Sequence, residues 1–412
     1  MAVSGSALLG RAALATDGGT WLLAQRRATT AAEAAAAAGI AAISSGQATS
    51  SAVESAADSA AQRNGFSAAA RLPGTVAHWP PTSGIAKDNL AAVEAVVSQQ
   101  QNLFLARVIL STAPVVTGRA VAMLQSSYPA CILALNGGVS MGGNSLTTST
   151  NCVLASNSTG PNAITVGGSA TVRTSSLVSS GGCNNCSDSS VTLDRPYAEY
   201  QPPTLNPFAK LDSKTLPTFT TSNCVSMPTG SAITSPYPKA FCGSELRVGS
   251  NQTSTIEPGI YYLNNASLRL QGTLTCPNCT NGAGVTFIFT GDPGSIGSLD
   301  ITAQASIQLS APRSPQDTDY AGILFYRDRR ATQGSTGATM NGGAGTKLVG
   351  GMYFPTSYVK FNGNSGLNAS ECTALVANTV DLTGTAQTYL SIAGCAAAGT
   401  VMPSSQNVRF VE

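Results

Sequence analysis

The sequence predicts an α+β protein in which an alanine-rich helical region precedes a larger, mostly β domain. Three observations carry that expectation. Residues 1–66 are dominated by alanine; short runs of Val, Ile, Leu, Phe and Tyr set among Ser, Thr, Asn and Gly fill the chain after about Gln125; and all ten cysteines lie in that second part. At 412 residues the chain is long enough for two or three domains of roughly 150 residues. The expected division is 1–125 and 126–412.

In the first region, Asp17 can start a helix, with Trp21, Leu22, Leu23 and Ile40 giving apolar contacts along an alanine-rich rod. A second helix is expected from Ser51 to Arg63. Ser51 and Glu54 have capping-box spacing, and Asn64-Gly65 supplies a stop. Pro80-Pro81-Thr82-Ser83-Gly84 reads as a rigid turn. Ala92–Ser98 and Val115–Ala122 read as strands on either side of the apolar stretch Leu103–Leu110. The region as a whole is expected to be a compact α+β piece.

After Gln125 the helical signal fades. Ala163–Val166, Leu268–Leu270, Val285–Phe289, Leu299–Ile301, Ile307–Leu309, Gly322–Tyr326, Met352–Phe354, Val359–Phe361 and Val376–Leu382 read as short strands, many with one buried face. Such strands suit a β-sandwich or a β-solenoid. The charge-poor exterior favours stacked rungs, so the preferred expectation is a right-handed parallel β-helix, with the loop Arg330–Gly345 leaving one side. The Pro-rich stretch 194–230 (Pro196, Pro202, Pro203, Pro207, Pro217, Pro228) is expected as an extended excursion or a linker to a second β unit.

Composition narrows the function. Charged residues make up 10% of the chain, against about 25% in an average soluble domain, with 22 Lys and Arg, 20 Asp and Glu, and one histidine. The near-balance argues against a nucleic-acid binder. A single histidine leaves no multi-histidine metal site. Ten cysteines in a chain this poor in other metal ligands point to an oxidising compartment. The +2 excess sits in 1–125, where eight basic residues face six acidic ones; fourteen of each follow. At the N-terminus, Arg11 and Asp17 interrupt the apolar run, which falls far short of the ~20 residues that span a bilayer and lacks the basic start of a signal peptide.

Several of these segments resemble a known family. Ala7-Leu8-Leu9-Gly10, Ala12–Ala15, Asp17-Gly18-Gly19, Arg26-Arg27 and the alanine tract to Ala42 are similar to the N-terminal region of TadE/TadG proteins of bacterial Tad (Flp-type, tight-adherence) pilus systems. Ala61–Phe66, Pro80–Gly84, Ala92–Gln99, Leu103–Arg107 and Gly118–Ala122 continue the likeness in order over about 125 residues. Glu257–Tyr262, Gly284–Phe289, Leu309–Pro312, Tyr320–Phe325 and Gly351–Pro355 resemble the β-rich C-terminal regions of some members. The resemblance implies a non-enzymatic pilus-assembly component without cofactor. Its partners would be other pilin-like proteins, with an N-terminal helix in the inner membrane and the β domain periplasmic or surface-exposed, or else secreted. Asp17, Trp21, Arg26, Arg27, Asn64, Gly65, Pro80 and Pro81 are its motif positions. Family members carry an unbroken apolar stretch before the aspartate. Here sixteen residues precede Asp17 and include Arg11, so the expectation is a start further upstream or a lost anchor.

The remaining chemistry is weighed on spacing. Cys183-Asn184-Asn185-Cys186 and Cys276-Pro277-Asn278-Cys279 have the ligand set of a four-cysteine zinc site, and the proline suits a redox dithiol. Both lie in Gly/Ser/Asn/Thr-rich loops, which favours disulfide staples. Spacing leaves the pairing open. Pairing by proximity joins Cys131 with Cys152, Cys183 with Cys186, Cys224 with Cys242, Cys276 with Cys279 and Cys372 with Cys395. Asp317, Asp319 and Asp328 around Arg327, Arg329 and Arg330 read as solvated ion pairs or, in the alternative of a secreted polysaccharide enzyme, as a sugar-cleaving groove. A surface adhesin without a pilus connection is a third alternative. His78 beside Trp79 and Pro80 reads as a turn histidine, and the run 342–345 lacks the Lys-Ser/Thr of a phosphate loop. Asn157, Asn185, Asn251, Asn265, Asn278 and Asn368 each open an Asn-x-Ser/Thr triplet, expected by chance in a chain rich in Ser and Thr.

Overall fold

The computed structural model describes residues 2–44, 49–74, 76–108, 110–226, 232–341, 346–362 and 371–412; Pro228, the run 342–345 and Asn368 lie outside them. The chain is α+β and mostly β, and it divides into two units: Met1–Ser126 with Asn407–Glu412, and Ser127–Gln406. The last six residues thus belong to the first unit, whereas the change in composition left them with the second.

In the first unit, helix α1 (Ala2–Ser44) buries Ala28, Ala31, Ala32, Ala35, Ala36 and Ile40 completely. Their spacing of three and four places one stripe on one side of the helix. Helix α2 (Ser50–Arg63) adds Val53, Ala57 and Ala61. Both helices rest on an antiparallel sheet of β1 (Ala77–His78), β2 (Ala92–Gln100) and the first residues of β3 (Val115–Met141), with Val93 opposite Ala122 and Ala95 opposite Ala120. The C-terminal residues close the edge, Val121 N donating to the Glu412 carbonyl and Val411 N to that of Val121, each at 2.9 Å. A buried methyl contributes only about 0.8 kcal/mol, so this face works by number and closeness. Gly118 on β3 shows how close: a Cβ there would stand 2.1 Å from the carbonyl carbon of Ala28.

Three local expectations change. Asp17 lies inside α1 and does not start it. The α2 N-cap is Thr49, whose hydroxyl accepts from Ala52 N at 3.2 Å, in place of a Ser51–Glu54 box. A threonine just outside the helix reaches that amide, while Ser51 is already helical. Leu22 and Leu23 are 70% and 51% exposed and do not serve as helix contacts. The stop at Asn64-Gly65 is a Schellman turn: Gly65 has φ +90°, its N–H reaches Gln62 O, and Phe66 N reaches Ala61 O.

The second unit is built from parallel ladders. One circuit of chain runs through Thr253–Ile256, Gly259–Asn264 and Ser267–Leu270, and the next through Thr273–Thr275, Val285–Thr290 and Leu299–Ile301. Equivalent strands pair in register in three ladders: the first joins Tyr261 to Phe287, the second Leu268 to Leu299 and the third Thr253 to Thr273. Alternate residues from all three ladders enter one interior, where Leu268 and Leu270 are buried and Arg269 between them is turned out. Phe241, Tyr261, Phe287 and Phe325 stack there through successive circuits, with ring centroids 5.2–6.3 Å apart. Thr336–Met340 is a further strand of the second ladder, pairing with Leu299–Ile301, so this part of the expected loop Arg330–Gly345 is built into the stack.

The rungs are not in chain order. From Ala130 the chain builds outward through Val153–Ser156 and Leu177–Ser179 to a bridge at Ala198. The stack resumes at its far end with Cys224–Val225 and builds back until Leu375 and Val380 pair with Ile132 and Val139. The last circuit therefore lies on the first, and Asn136 donates to Asn378 across 242 positions of sequence.

The Pro-rich excursion makes this order possible. It runs back along the outer face of the first ladder as a strap. Thr204 exchanges hydrogen bonds with Asn157 at 2.7 and 2.9 Å, Asn206 and Asp212 hold the Tyr353 hydroxyl, and the Tyr326 hydroxyl donates to Leu211 O at 3.1 Å. Phe208 packs on Tyr353, and Phe219 on Tyr262, with centroids 5.6 and 5.1 Å apart. Under the strap this ladder is buried on both faces, and every residue of Val285–Thr290 is buried, the two threonines included.

Candidate functional site

Four of the motif positions of the first unit lie at two knots, Asp17 and Trp21 at one and Pro80 and Pro81 at the other, while Asn64 and Gly65 end α2. In one, α1 grips the loop that follows β2. Asp17 is fully buried, and its Oδ2 accepts from Ala106 N at 2.6 Å and Phe104 N at 3.2 Å, anchoring the short helix Ala106–Val108. One turn on, the Trp21 indole donates to Asn102 O at 3.3 Å, and a further turn on Gln25 donates to Thr117 O at 2.6 Å. Asp17, Trp21 and Gln25, at spacing four, form one contact line along α1. Arg26 and Arg27 lie off that line, exposed, and neither forms a salt bridge among the described residues. Beside the loop is an open depression of about 770 Å³ lined by Gln100–Phe104, Arg107, Leu110, Ser111 and Ala113.

The second knot fixes the Pro80-Pro81 turn. Trp79-Pro80 is a cis peptide. Glu94, 2% exposed on β2, accepts from Thr82 N and Thr82 Oγ1 at 2.8 Å, from Ser83 Oγ at 2.6 Å and from Arg119 Nε at 2.7 Å. Burial alone would raise this carboxyl, but the hydrogen bonds from Ser83, Arg119 and Thr82 outweigh it and hold the carboxyl down at about 2. Arg119 also binds Glu412, the last residue of the chain. His78 lies on β1 opposite Glu94 in register. Neither Glu94 nor Arg119 stands out from the sequence as a site residue. The available signal was one acid inside the apolar strand Ala92–Val97, which must be paired if it is buried.

All ten cysteines form disulfides: Cys131–Cys152, Cys183–Cys186, Cys224–Cys242, Cys276–Cys279 and Cys372–Cys395. Cys131 and Cys152 tie one circuit of the first ladder to the next, as do Cys224 and Cys242. The two CxxC motifs close their own turns in different ladders, Cys183 on the second and Cys276 after a strand of the third, so they do not converge on one site.

The acid and arginine cluster separates into two structural pieces. Lys214 of the strap binds Asp317 at 3.0 Å and Asp319 at 2.5 Å. Arg327 is 4% exposed and donates to Ile296 O, Gly297 O, Ser335 Oγ and Ser357 Oγ at 2.6–2.8 Å; burial pushes its guanidinium down to about 10. Asp328, 3% exposed, is held by Thr290 and Arg330. These groups are spent on turns and strap and do not line a common groove. Three of the Asn-x-Ser/Thr asparagines, Asn185, Asn251 and Asn265, occupy left-handed turn positions at φ +59°, +60° and +54°.

Among the described residues no helix is long and apolar enough to cross a membrane, and no group of three or more His, Cys, Asp or Glu could hold a metal ion. No protein-family model, curated protein or solved structure matches the chain.

Proposed function

We propose that this chain is a non-enzymatic structural component of a bacterial Tad (Flp-type) pilus. In this reading the N-terminal unit is its pilin-like envelope anchor, and the disulfide-bonded unit is a right-handed parallel β-helix in the periplasm or at the surface. One observation carries the reading: the separate segments before Gln125 that resemble TadE/TadG proteins meet in one unit. Asp17 and Trp21 grip the 102–106 loop, and Glu94 joins the Pro80–Gly84 turn to Arg119. Five disulfides fit an oxidising compartment outside the cytoplasm. Parallel ladders joined by crossovers favour the right-handed path. The partners are pilin-like proteins and the inner membrane, and no cofactor is required. The test is a deletion strain of the source bacterium, which should lose pili and pilus-dependent adherence and regain both on complementation. Unchanged piliation and adherence would refute the reading.

A further inference from the structure

The end of the N-terminal unit that carries the Asp17 knot presents an apolar collar around α1. On the loop, Phe104 is 61% exposed, Val108 74% and Leu110 41%; on the helix, Leu22 is 70% exposed and Leu23 51%. Exposed apolar side chains in this number on one end of a small unit mark a contact surface. At 100° per residue, Leu22, Leu23, Arg26 and Arg27 lie on the side of α1 away from Asp17, Trp21 and Gln25, which hold the loop. The apolar groups therefore flank the helix on both sides. With a rise of 1.5 Å per residue, the two leucines follow the level of Asp17 within about 10 Å and the two arginines within about 15 Å. Arg107 adds a third exposed guanidinium on the loop, bonded to Leu103 O. None of the three forms a salt bridge among the described residues; Asp17 is buried, and the next acid on the outer face of α1, Glu33, lies about two turns further on.

We propose that this collar rests on a bilayer surface with anionic headgroups. Phe104, Val108, Leu22 and Leu23 enter the interface, and Arg26, Arg27 and Arg107 bind phosphates. The charge distribution selects this occupant. A two-fold contact with a second copy would set the same arginines against each other, whereas an anionic surface neutralises them. Trp21, with its indole tied to Asn102 O, sits at the level where an amphipathic ring favours the membrane interface. The proposal deepens the envelope reading above by adding the loop after β2 as a second lipid contact beside the helix.

The test is co-sedimentation of the full chain with vesicles of phosphatidylcholine alone or with about one-third phosphatidylglycerol. The chain should partition onto the anionic vesicles and much less onto phosphatidylcholine. Phe104→Asp with Val108→Asp, both at exposed positions, should lower partitioning at least tenfold. Arg26→Gln with Arg27→Gln should lower it more than tenfold on anionic vesicles only, at about fivefold per arginine. Circular dichroism and the absence of free thiols check that each variant is folded. The proposal is overturned if the chain stays in solution with both vesicles, binds both equally, or binds unchanged in the loop variant. Vesicle-free dimerisation that Val108→Asp abolishes would overturn it too, in favour of a second copy. Vesicle binding needs no pilus partner. Failure here leaves adherence in the deletion strain as an independent test of the pilus reading, and normal adherence there leaves the lipid result standing.

Discussion

Arg119 Nε lies 2.7 Å from Oε1 of Glu94, and that buried carboxylate fastens the Pro80–Gly84 turn to the central strands of the N-terminal unit. The carboxyl is held at about 2 against an ordinary value of 4.5. A group depressed on folding stabilises the fold above its unfolded pKa and loses that contribution as pH falls through its folded one. The Glu94 contribution is therefore full above about pH 4.5 and disappears toward about pH 2. Glu94→Gln should cost about 2–3 kcal/mol at neutral pH and flatten the loss of stability across that acid window. Urea unfolding at stepped pH measures both. A variant that matches the parent at pH 7 would show that desolvation cancels the pair.

Gly118 sets the distance between α1 and the sheet. A methyl there meets the Ala28 backbone at 2.1 Å, and backbone cannot swing aside as a flexible side chain can. Gly118→Ala should destabilise the unit by about 2–3 kcal/mol. An unchanged unfolding midpoint would mean that the helix sits further from β3.

The strap depends on Phe208, which is 3% exposed against Tyr353. Phe208→Ala should cost about 3–4 kcal/mol and speed proteolysis within residues 194–226. Cleavage at the parent rate would argue that the polar contacts of Asn206, Asp212 and Lys214 hold the strap without it.

Arg327 is expected to act as a structural cation. Arg327→Ala leaves the carbonyls of Ile296 and Gly297 without their donor, at about 3 kcal/mol. Thermal unfolding reads the loss, and a neutral result would reopen a surface role for this residue.

Disulfide loss should scale with loop length. Replacing both Cys131 and Cys152 with alanine, at a separation of 21, should cost about 3 kcal/mol. Replacing Cys276 and Cys279, at a separation of 3, should cost less than about 2 kcal/mol. Denatured, unreduced protein should show no reactive thiol, and any stoichiometric thiol contradicts the pairing.

Much of the second unit is legible because its physics is local. Leu299–Ile301 is a strand with the bounds expected from its pattern, since buried leucine and isoleucine flanking an outward Asp300 need only neighbours in sequence to declare a face. The disulfides pair by proximity for a related reason: the longer three join positions about one circuit apart, and the CxxC pairs close single turns. Asp17 was legible as a position but not in its role. An aspartate in an alanine-rich tract looks like a helix start until the distant amides of Phe104 and Ala106 supply its partners.

The sequence by itself determined the α+β division, the strand-rich second part, several strand positions such as Leu299–Ile301 and the reading of the cysteines as disulfide staples, all of which follow from composition, spacing and short-range alternation. Only the tertiary structure decided which rung lies on which, that the chain's last circuit pairs with its first, and that the Pro-rich stretch is a strap. The reason is that successive rungs show much the same pattern of inward aliphatic and outward small polar residues, so no local preference orders them. Their order is set by contacts such as Leu375 on Ile132 and Phe208 on Tyr353, which form only when distant segments are brought together at the entropic cost of closing very long loops.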